Sequence, residues 1–579
     1  MKRPHVWSFR SVDPALEREL SQSLSLSPLA ARVLALRGIT SSDGGRGFFE
    51  VNLKVLTSTG ELPGTERAIE RLLVAIKKGE KILVFGDSDV DGLTGSCLLG
   101  RMLKALGANV AVHVPERTVD GYGLSVAGVA AVRRHQTAVL VTVDHGVTAF
   151  AAIEELQKSG VDVLVTDHHQ KPDQMPPALA VVNPLLLDPS HAAAKLSGAG
   201  VAFKLACGLF ETLPAAQKQA SGLRQVLREG LALASMGTVA DVVPLVGENR
   251  LLVRHGLKQL EKTELAGLKA LRNIAGLDQK VLAAEDISFG FAPRLNAAGR
   301  LGKVDVARRL LLCDDDTEAR ALASELDQMN QKRRILEAKV FERAKQLLDQ
   351  YPRDAPIVVM GDPEFHAGVI GIVAAKLVGM TGKPVLLIST QGEVGRGSGR
   401  SIPGFDLAHA LHRARAFVHS CDGHAAAAGL EMDSKRVAEL AEQMRAHAAE
   451  DFHEPPPPTL HIDSEVMLHE MHPRLLDELK RVGPFGEGNP APLFAASGVE
   501  LATAPRRVGQ DGGHLLMRLK NGARPLSAIA FGFGAQAEAA ASGRLSLAFT
   551  PRPSNYAGPA VVELVVADLK TGEAAAAGT

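Results

Sequence analysis

Residues 81–92 read KILVFGDSDVDG. The apolar run Ile82, Leu83, Val84, Phe85, bounded by Lys81 and Gly86, has the length and branching of a strand buried on both faces, as strands of parallel sheets are. Three carboxylates follow at alternate positions, Asp87, Asp89 and Asp91. Beyond Gly92 and Thr94 the apolar residues Leu98, Leu99, Met102, Leu103 and Leu106 recur at helical spacing until Gly107 ends them. The acids thus stand between the carboxyl end of a strand and a helix, the edge at which open α/β sheets bind ligands. Carboxylates this close repel one another unless a cation or a set of basic groups neutralises them. Taken alone, the stretch also reads as an acidic surface turn.

Working outward, a helix over 65–79, capped by Thr65 and ended by Gly79, precedes this strand. Strand patterns at 110–114, 138–143, 161–165 and 180–182 alternate with helical ones after it, which predicts an α/β class with a parallel sheet. Two of these strands end as the first does. Residues 139–143 run into Asp144-His145-Gly146, and 163–166 into Asp167-His168-His169. Parallel strands align their carboxyl ends, so these side chains are expected on one rim with Asp89 and Asp91. In GTVADVVPL (237–245) Asp241 stands among apolar residues, where a carboxylate must be paired, hydrogen-bonded or metal-bound. PRLNAAGR (293–300) reads as a Gly/Pro-bounded loop whose Arg294, Asn296 and Arg300 suit phosphate oxygens, or as a solvated basic loop.

Residues 317–350 read as one uninterrupted amphipathic helix, a spacer between two domains. A smaller α/β unit follows over 351–453. Its GRGSGRS (395–401) reads as a phosphate cradle or a flexible loop: glycines free backbone amides, and Ser398, Arg400 and Ser401 add side-chain donors. GHAAAAG (423–429) offers His424 as its one reactive side chain. After Glu454 and the prolines at 455–458, short alternating runs over 459–570 predict an antiparallel β unit, with a five-stranded OB-type barrel the natural candidate. Joined by a proline break and holding no candidate ligand, that unit reads as binding surface and not chemistry. Residues 1–64 read as an irregular, partly helical lead-in, and 571–579 as a disordered tail.

The 579-residue length fits three or four domains, and a formal net charge of zero argues against a uniformly basic coat. Cys97, Cys207, Cys313 and Cys421 have neither zinc nor disulfide spacing. MKRPHVWSFR lacks a signal-peptide core and no window resembles a membrane span, so a cytoplasmic protein is expected.

With GDSDVDG, VTVDHG, TDHH, GTVADVVPL, PRLNAAGR, HAGVIGIVA, GSGRS, GHAAAAGL and PFGEGNPAPLF in this order, nearly the whole chain resembles the DHH phosphoesterase superfamily and, within it, the RecJ exonucleases. The resemblance implies a DHH catalytic domain (65–316), a connecting helix (317–350), a DHHA1 domain (351–453) across a cleft, and an OB domain (459–570). It implies two divalent ions, Mn²⁺ or Mg²⁺, and hydrolysis of single-stranded DNA from its 5′ end to nucleoside monophosphates in recombination and repair. Asp89, Asp91, Asp144, His168 and Asp241 become metal ligands, with Asp144 bridging; Asp87, Asp167 and His169 support them or face substrate. Arg294, Asn296 and Arg300 would orient the scissile phosphate, and Arg117, Ser398, Arg400, Ser401 and His424 would hold the terminal one. A single-stranded-DNA-binding protein and a repair helicase are the implied partners of a monomer. Three positions depart from the family pattern: His145 for the usual Asn, Phe365 for Trp, and Asp422 for Gly, the last placing negative charge beside the presumed phosphate site. The rival readings are a DHH/DHHA1 phosphoesterase of short oligonucleotides or cyclic dinucleotides, which lacks the β domain, and a non-catalytic scaffold, which loses metal ligands.

Overall fold

The computed structural model describes residues 5–116, 121, 123–219, 221–451, 457–509, 511–522, 524–554 and 558–571. Arg117, residues 454–456 and the tail beyond 571 therefore lie outside the described residues.

Strand Lys81–Gly86 lies inside a five-stranded all-parallel sheet, between Asn109–His113 and Val139–Val143, followed outward by Asp162–Thr166 and Ala180–Val182. Ile82 and Val84 enter one apolar core and Leu83 and Phe85 the other, so the two-residue period buries both faces under helices. The preceding helix is Thr65–Lys78; Gly64, left-handed at φ 80°, takes the cap position expected of Thr65, because a side chain there would strike the Val181 carbonyl.

The 34-residue helix Asp316–Asp349, capped by Asp315, joins two cores. Ala319, Leu322, Ala323, Leu326 and Met329 pack into the first α/β unit, and Val340 and Ala344 into the second. At 1.5 Å per residue it is roughly 50 Å long. The second unit is a five-stranded mixed sheet in the order Ser420–His424, Ala427–Asp433, Val394–Arg400, Val385–Ser389, Val358–Asp362.

The C-terminal sheet has seven strands rather than five, two of its pairings being parallel. Edge strand Leu501–Val508 was not foreseen: it is mostly exposed and contains Pro505, so it lacks the alternation that betrays a half-buried strand. The lead-in is more ordered than its sequence suggests. Helices Pro14–Leu24 and Pro28–Ala35 put Leu20, Leu24, Leu29, Val33 and Leu34 into the core of this β domain, and Val6–Phe9 pairs in parallel with Thr459–Ile462. The two ends of the chain thus fold together.

Candidate functional site

The rim forms because each strand hands its next residue to a neighbour. Gly86, Val143, Thr166 and Val182 are in register across the sheet. One residue beyond, the N–H of Asp87 donates to the Val143 carbonyl (3.2 Å), that of Asp144 to Thr166 (3.0 Å), and that of Asp167 to Val182 (3.0 Å). Three aspartates are thereby fixed side by side. Asp144 takes a left-handed φ of 68°, a conformation tolerated by Asp and typical of functional sites.

Asp89 caps helix Val90–Ala105, accepting from the N–H groups of Asp91 (3.0 Å) and Gly92 (3.1 Å). Asp91, inside the first turn, accepts from the N–H groups of Gly198 (2.6 Å) and Ala199 (3.0 Å) at the start of helix Gly198–Glu211. Small residues make this burial possible: a Cβ at Gly198 would lie 2.6 Å from the Asp144 Cβ, and one at Gly237 2.4 Å from Asp91 Oδ1. These supporting amides were missed in the sequence, where Ser197-Gly198-Ala199-Gly200 looks like any capped helix start. Asp241 closes the group from just past helix Ser221–Ala240.

His168 Nε2 lies 3.0 Å from Asp144 Oδ1, 3.5 Å from Asp241 Oδ2 and 3.8 Å from Asp91 Oδ2. Both His168 Nε2 and Asp144 Oδ1 are nevertheless buried without an aligned hydrogen-bond partner among the described residues. Burial, reinforced by the Asp89 charge, pushes Asp91 up to about 7; burial and the Asp91 charge push Asp241 up to about 8. Asp144 is raised well above the usual carboxylate range by burial and four neighbouring aspartates. Burial brings His168 down to about 4, which leaves a neutral imidazole with a lone pair. Asp167 behaves oppositely. Burial opposes its ionisation, but the imidazole and N–H of His169 and the N–H of Val147 outweigh it and hold Asp167 at about 2. Asp167 in turn raises His169 to about 9, although half of that side chain meets solvent, which screens the pair.

Ligand atoms of Asp91, His168 and Asp241 lie within 4.8 Å of one another, as do those of Asp87, Asp89 and Asp144, and of Asp144, His168 and His169. Asp144 belongs to two of these groups and touches the third through His168. Orphaned, convergent acceptors dominated by carboxylate oxygen fit hard divalent cations, and one imidazole leans toward Mn²⁺.

A second wall faces this rim. Helix Ala292–Arg300 replaces the loop expected over 293–300, following a π-helical turn at Ile287–Phe291. Gly299 abuts the Ser88 carbonyl, and Arg300 Nη1 donates to the Gly368 carbonyl of the second unit at 3.3 Å. Asn296 is half-buried on the same helix. Arg294 does not face the rim as expected: Nε donates to Asp327 (2.8 Å) and Nη1 to Gly290 O (2.6 Å), so it pins this helix to the long one.

GRGSGRS is not a cradle. It is strand Val394–Arg400 at the centre of its sheet, with neighbours on both sides, so the ladders use the amides that the glycines were expected to free. Its glycines serve packing: a Cβ at Gly397 would strike Leu430 and one at Gly399 would strike Leu407. Ser398 and Arg400 share a face at two-residue spacing, 3.3 Å apart, beside Gly371 in the first turn of helix Ile370–Thr381. Burial lowers the Arg400 pKa, and among the described residues no carboxylate pairs with it. Ser401 donates to the Phe405 carbonyl at 2.7 Å and secures a turn, which removes it from the phosphate-binding set. His424 is exposed at a hairpin tip, its Nδ1 accepting from the Ala426 N–H at 3.3 Å. Asp422, also exposed, accepts from the Gly423 N–H.

Three family descriptions match: DHH family, N-terminal domain, over residues 81–238; DHHA1 domain over 354–450; and RecJ OB domain over 462–568. The single-stranded-DNA-specific exonuclease RecJ of Thermus thermophilus is 37% identical over 519 residues, covering 89% of this chain and 72% of that protein. Its Bacillus subtilis counterpart is 32% identical over 535 residues, 91% of this chain; the chain spans 66% of that protein's length. The crystal structure of RecJ from Thermus thermophilus in complex with Mn²⁺ superposes with a TM-score of 0.82 at 34% identity, over 98% of this chain and 80% of that one. The same protein in complex with Mg²⁺ gives 0.77. Three domains matched in order and identity above 30% across most of both chains establish that this protein belongs to the RecJ family of DHH-domain exonucleases.

Proposed function

We propose that this protein is a metal-dependent exonuclease that hydrolyses single-stranded DNA from the 5′ end to nucleoside 5′-monophosphates, in recombination and repair. One observation carries the reading. His168 Nε2 and Asp144 Oδ1, both buried and unbonded, converge with Asp91 and Asp241 where three strand ends meet.

Asp89, Asp91, Asp144, His168 and Asp241 would hold two divalent ions, Mn²⁺ or Mg²⁺, with Asp144 between them. Bound there, the ions would activate water and neutralise charge developing on the phosphate. The chain's own residues do the rest. The Gly198 and Ala199 amides keep Asp91 in place, and Asp167 fixes the His169 ring and its proton. Half exposed and hydrogen-bonded to Asp167, His169 would steady the phosphate or give its proton to the leaving 3′ oxygen. Ser398 and Arg400, with Arg117, would receive the 5′-terminal phosphate, and Arg300 and Asn296 the scissile one.

With this goes a division into catalytic domain (65–316), connecting helix (317–350), DHHA1 domain (351–453) and OB domain (459–570), the helices of the 1–64 lead-in packing with the last while Leu53, Leu56 and Leu62 pack on the catalytic domain. Recruitment by a single-stranded-DNA-binding protein and a repair helicase, a monomeric state and a cytoplasmic setting complete the proposal. No helix among the described residues is long and apolar enough to cross a membrane. The test is digestion of matched oligonucleotides labelled at either end, with Mn²⁺ or with chelator. Metal-dependent release of mononucleotide from the 5′ label is expected; release from the 3′ label first would reverse the polarity, and full activity in chelator would remove the metals.

A further inference from the structure

We infer that the β domain positions Asp241, through the rigid turn Gly483–Asn489 pressed against the segment that follows this carboxylate. The inference rests on the reading of Asp241 as a metal ligand.

Asp241 lies on a tether and not on a regular element. Its N–H ends helix Ser221–Ala240 by donating to Gly237, and next comes Val242, 64% exposed and left-handed at φ 60°, which a β-branched residue adopts only when neighbours hold it. The β domain holds the chain two and three residues further on, at Pro244 and Leu245. The Leu245 N–H donates to the Glu487 carbonyl at 2.7 Å. Gly488, at φ 69°, faces Pro244 so closely that a Cβ would lie 2.9 Å from the Pro244 Cβ, and one at Gly486 would lie 2.7 Å from Leu245 Cδ1.

The turn that presses here is stiff and anchored. Gly486 and Asn489 exchange both N–H···O bonds (3.0 and 3.2 Å), while buried Asn489 Nδ2 donates to the Val482 and Pro484 carbonyls. Its base is gripped by helix Gly247–Glu261, which starts six residues past Asp241. Arg250, 4% exposed and stacked 3.7 Å over Phe48, donates to the carbonyls of Phe48, Arg481 and Gly483; Arg254 donates to those of Arg481 and Gly483. Asn249 Nδ2 closes the frame on the Pro244 carbonyl at 3.1 Å. A carboxylate whose flanking backbone is held from another domain presents its oxygen as accurately as that domain is docked, and second-layer supports of ligands are worth roughly 10- to 100-fold in metal affinity.

The experiment titrates Mn²⁺ into the metal-free full-length chain by calorimetry and measures kcat and KM on a short oligonucleotide, for wild type, Gly488→Ala, Arg254→Ala, Arg254→Lys, Asp241→Asn and the double variant Asp241→Asn/Gly488→Ala. Gly488→Ala should weaken Mn²⁺ binding and lower kcat by about tenfold at unchanged KM. Arg254→Ala should do so by a smaller factor, with recovery in Arg254→Lys. Gly488→Ala should add nothing once Asp241 is gone. If Gly488→Ala does not fold, the Arg254 pair carries the comparison. Loss of thermal stability alone, with Mn²⁺ affinity and kcat intact in every turn or Arg254 variant, overturns the positioning role. Wild-type Mn²⁺ affinity in Asp241→Asn overturns the ligand reading beneath it.

Discussion

At the carboxyl edge of the parallel sheet, Asp87, Asp144 and Asp167 stand one residue past three aligned strands; in the second α/β unit, Ser398 and Arg400 stand within one central strand. The first arrangement collects side chains from several segments around a point. The second projects two side chains from one rigid line. Each leaves charge uncompensated, with opposite signs. Burial, reinforced by neighbouring aspartates, raises Asp91, Asp144 and Asp241, and burial lowers Arg400, which has no carboxylate partner among the described residues. A convergent acidic edge is suited to multidentate cations, and a planar fork on a strand to one anion held at a fixed place. Metals and a terminal phosphate are the two ligands we propose to complete the pair.

The comparison breaks first at Asp144. Asp144→Ala should lower kcat on Mn²⁺-supplied single strands by roughly a thousandfold, about 4 kcal/mol of barrier, with the fold retained at a modest stability cost for alanine at the left-handed φ of 68°. A steady-state assay showing even about a tenth of wild-type turnover would exclude a bridging role.

Proton occupancy sharpens the acidic half. Asp91 and Asp241, raised to about 7 and 8, and His169, raised to about 9, keep protons in the metal-free folded chain that the unfolded chain releases. Folded-state stability therefore falls as pH rises from about 6.5 to 9, each raised group losing its contribution as pH passes its folded value. Below that window His168, lowered to about 4, acts in the opposite sense, so the test belongs above pH 6.5. Thermal melts in chelator should show Tm declining between pH 6.5 and 9. Mn²⁺ should restore it by a margin that widens with pH, because the metal displaces protons. A pH-independent margin would contradict the burial of these acids.

Arg400→Ala probes the basic half. It should raise KM for a 5′-phosphorylated oligonucleotide by about 10- to 100-fold, the loss of a charge-assisted contact of roughly 1.5–3 kcal/mol, with a smaller effect on the 5′-hydroxyl counterpart. Equal penalties would move Arg400 to an internal phosphate. Smallest in function is Arg294→Ala. It breaks the bond to Asp327 and should cost about 1–3 kcal/mol of stability, read as a lower Tm, while KM stays within about twofold. A large KM effect would restore Arg294 to the substrate site.

Legibility tracked the same contrast. Strands buried on both faces announce themselves by apolar runs, and since parallel strands align their ends, the convergence of Asp89, Asp91, Asp144 and His168 was readable from order alone. GRGSGRS misled because glycine, Ser and Arg carry no strand signal. Those glycines answer to Leu407 and Leu430 on other elements, and no local pattern reports that. PRLNAAGR misled through Pro293 and Gly299, one tolerated in a first helical turn, the other required by the Ser88 carbonyl. The tie between lead-in and β domain joins residues more than 400 apart, such as Ser27 and Glu478, beyond any windowed pattern.

The most direct measurement is the number of Mn²⁺ ions bound by the metal-free chain at pH 8, counted by electron paramagnetic resonance during titration. Two ions in the wild type, with both sites weakened in Asp144→Ala and one in Asp241→Asn, are expected for two cations sharing the Asp144 carboxylate. A single Mn²⁺ in the wild type, or two that survive Asp144→Ala undiminished, would contradict it.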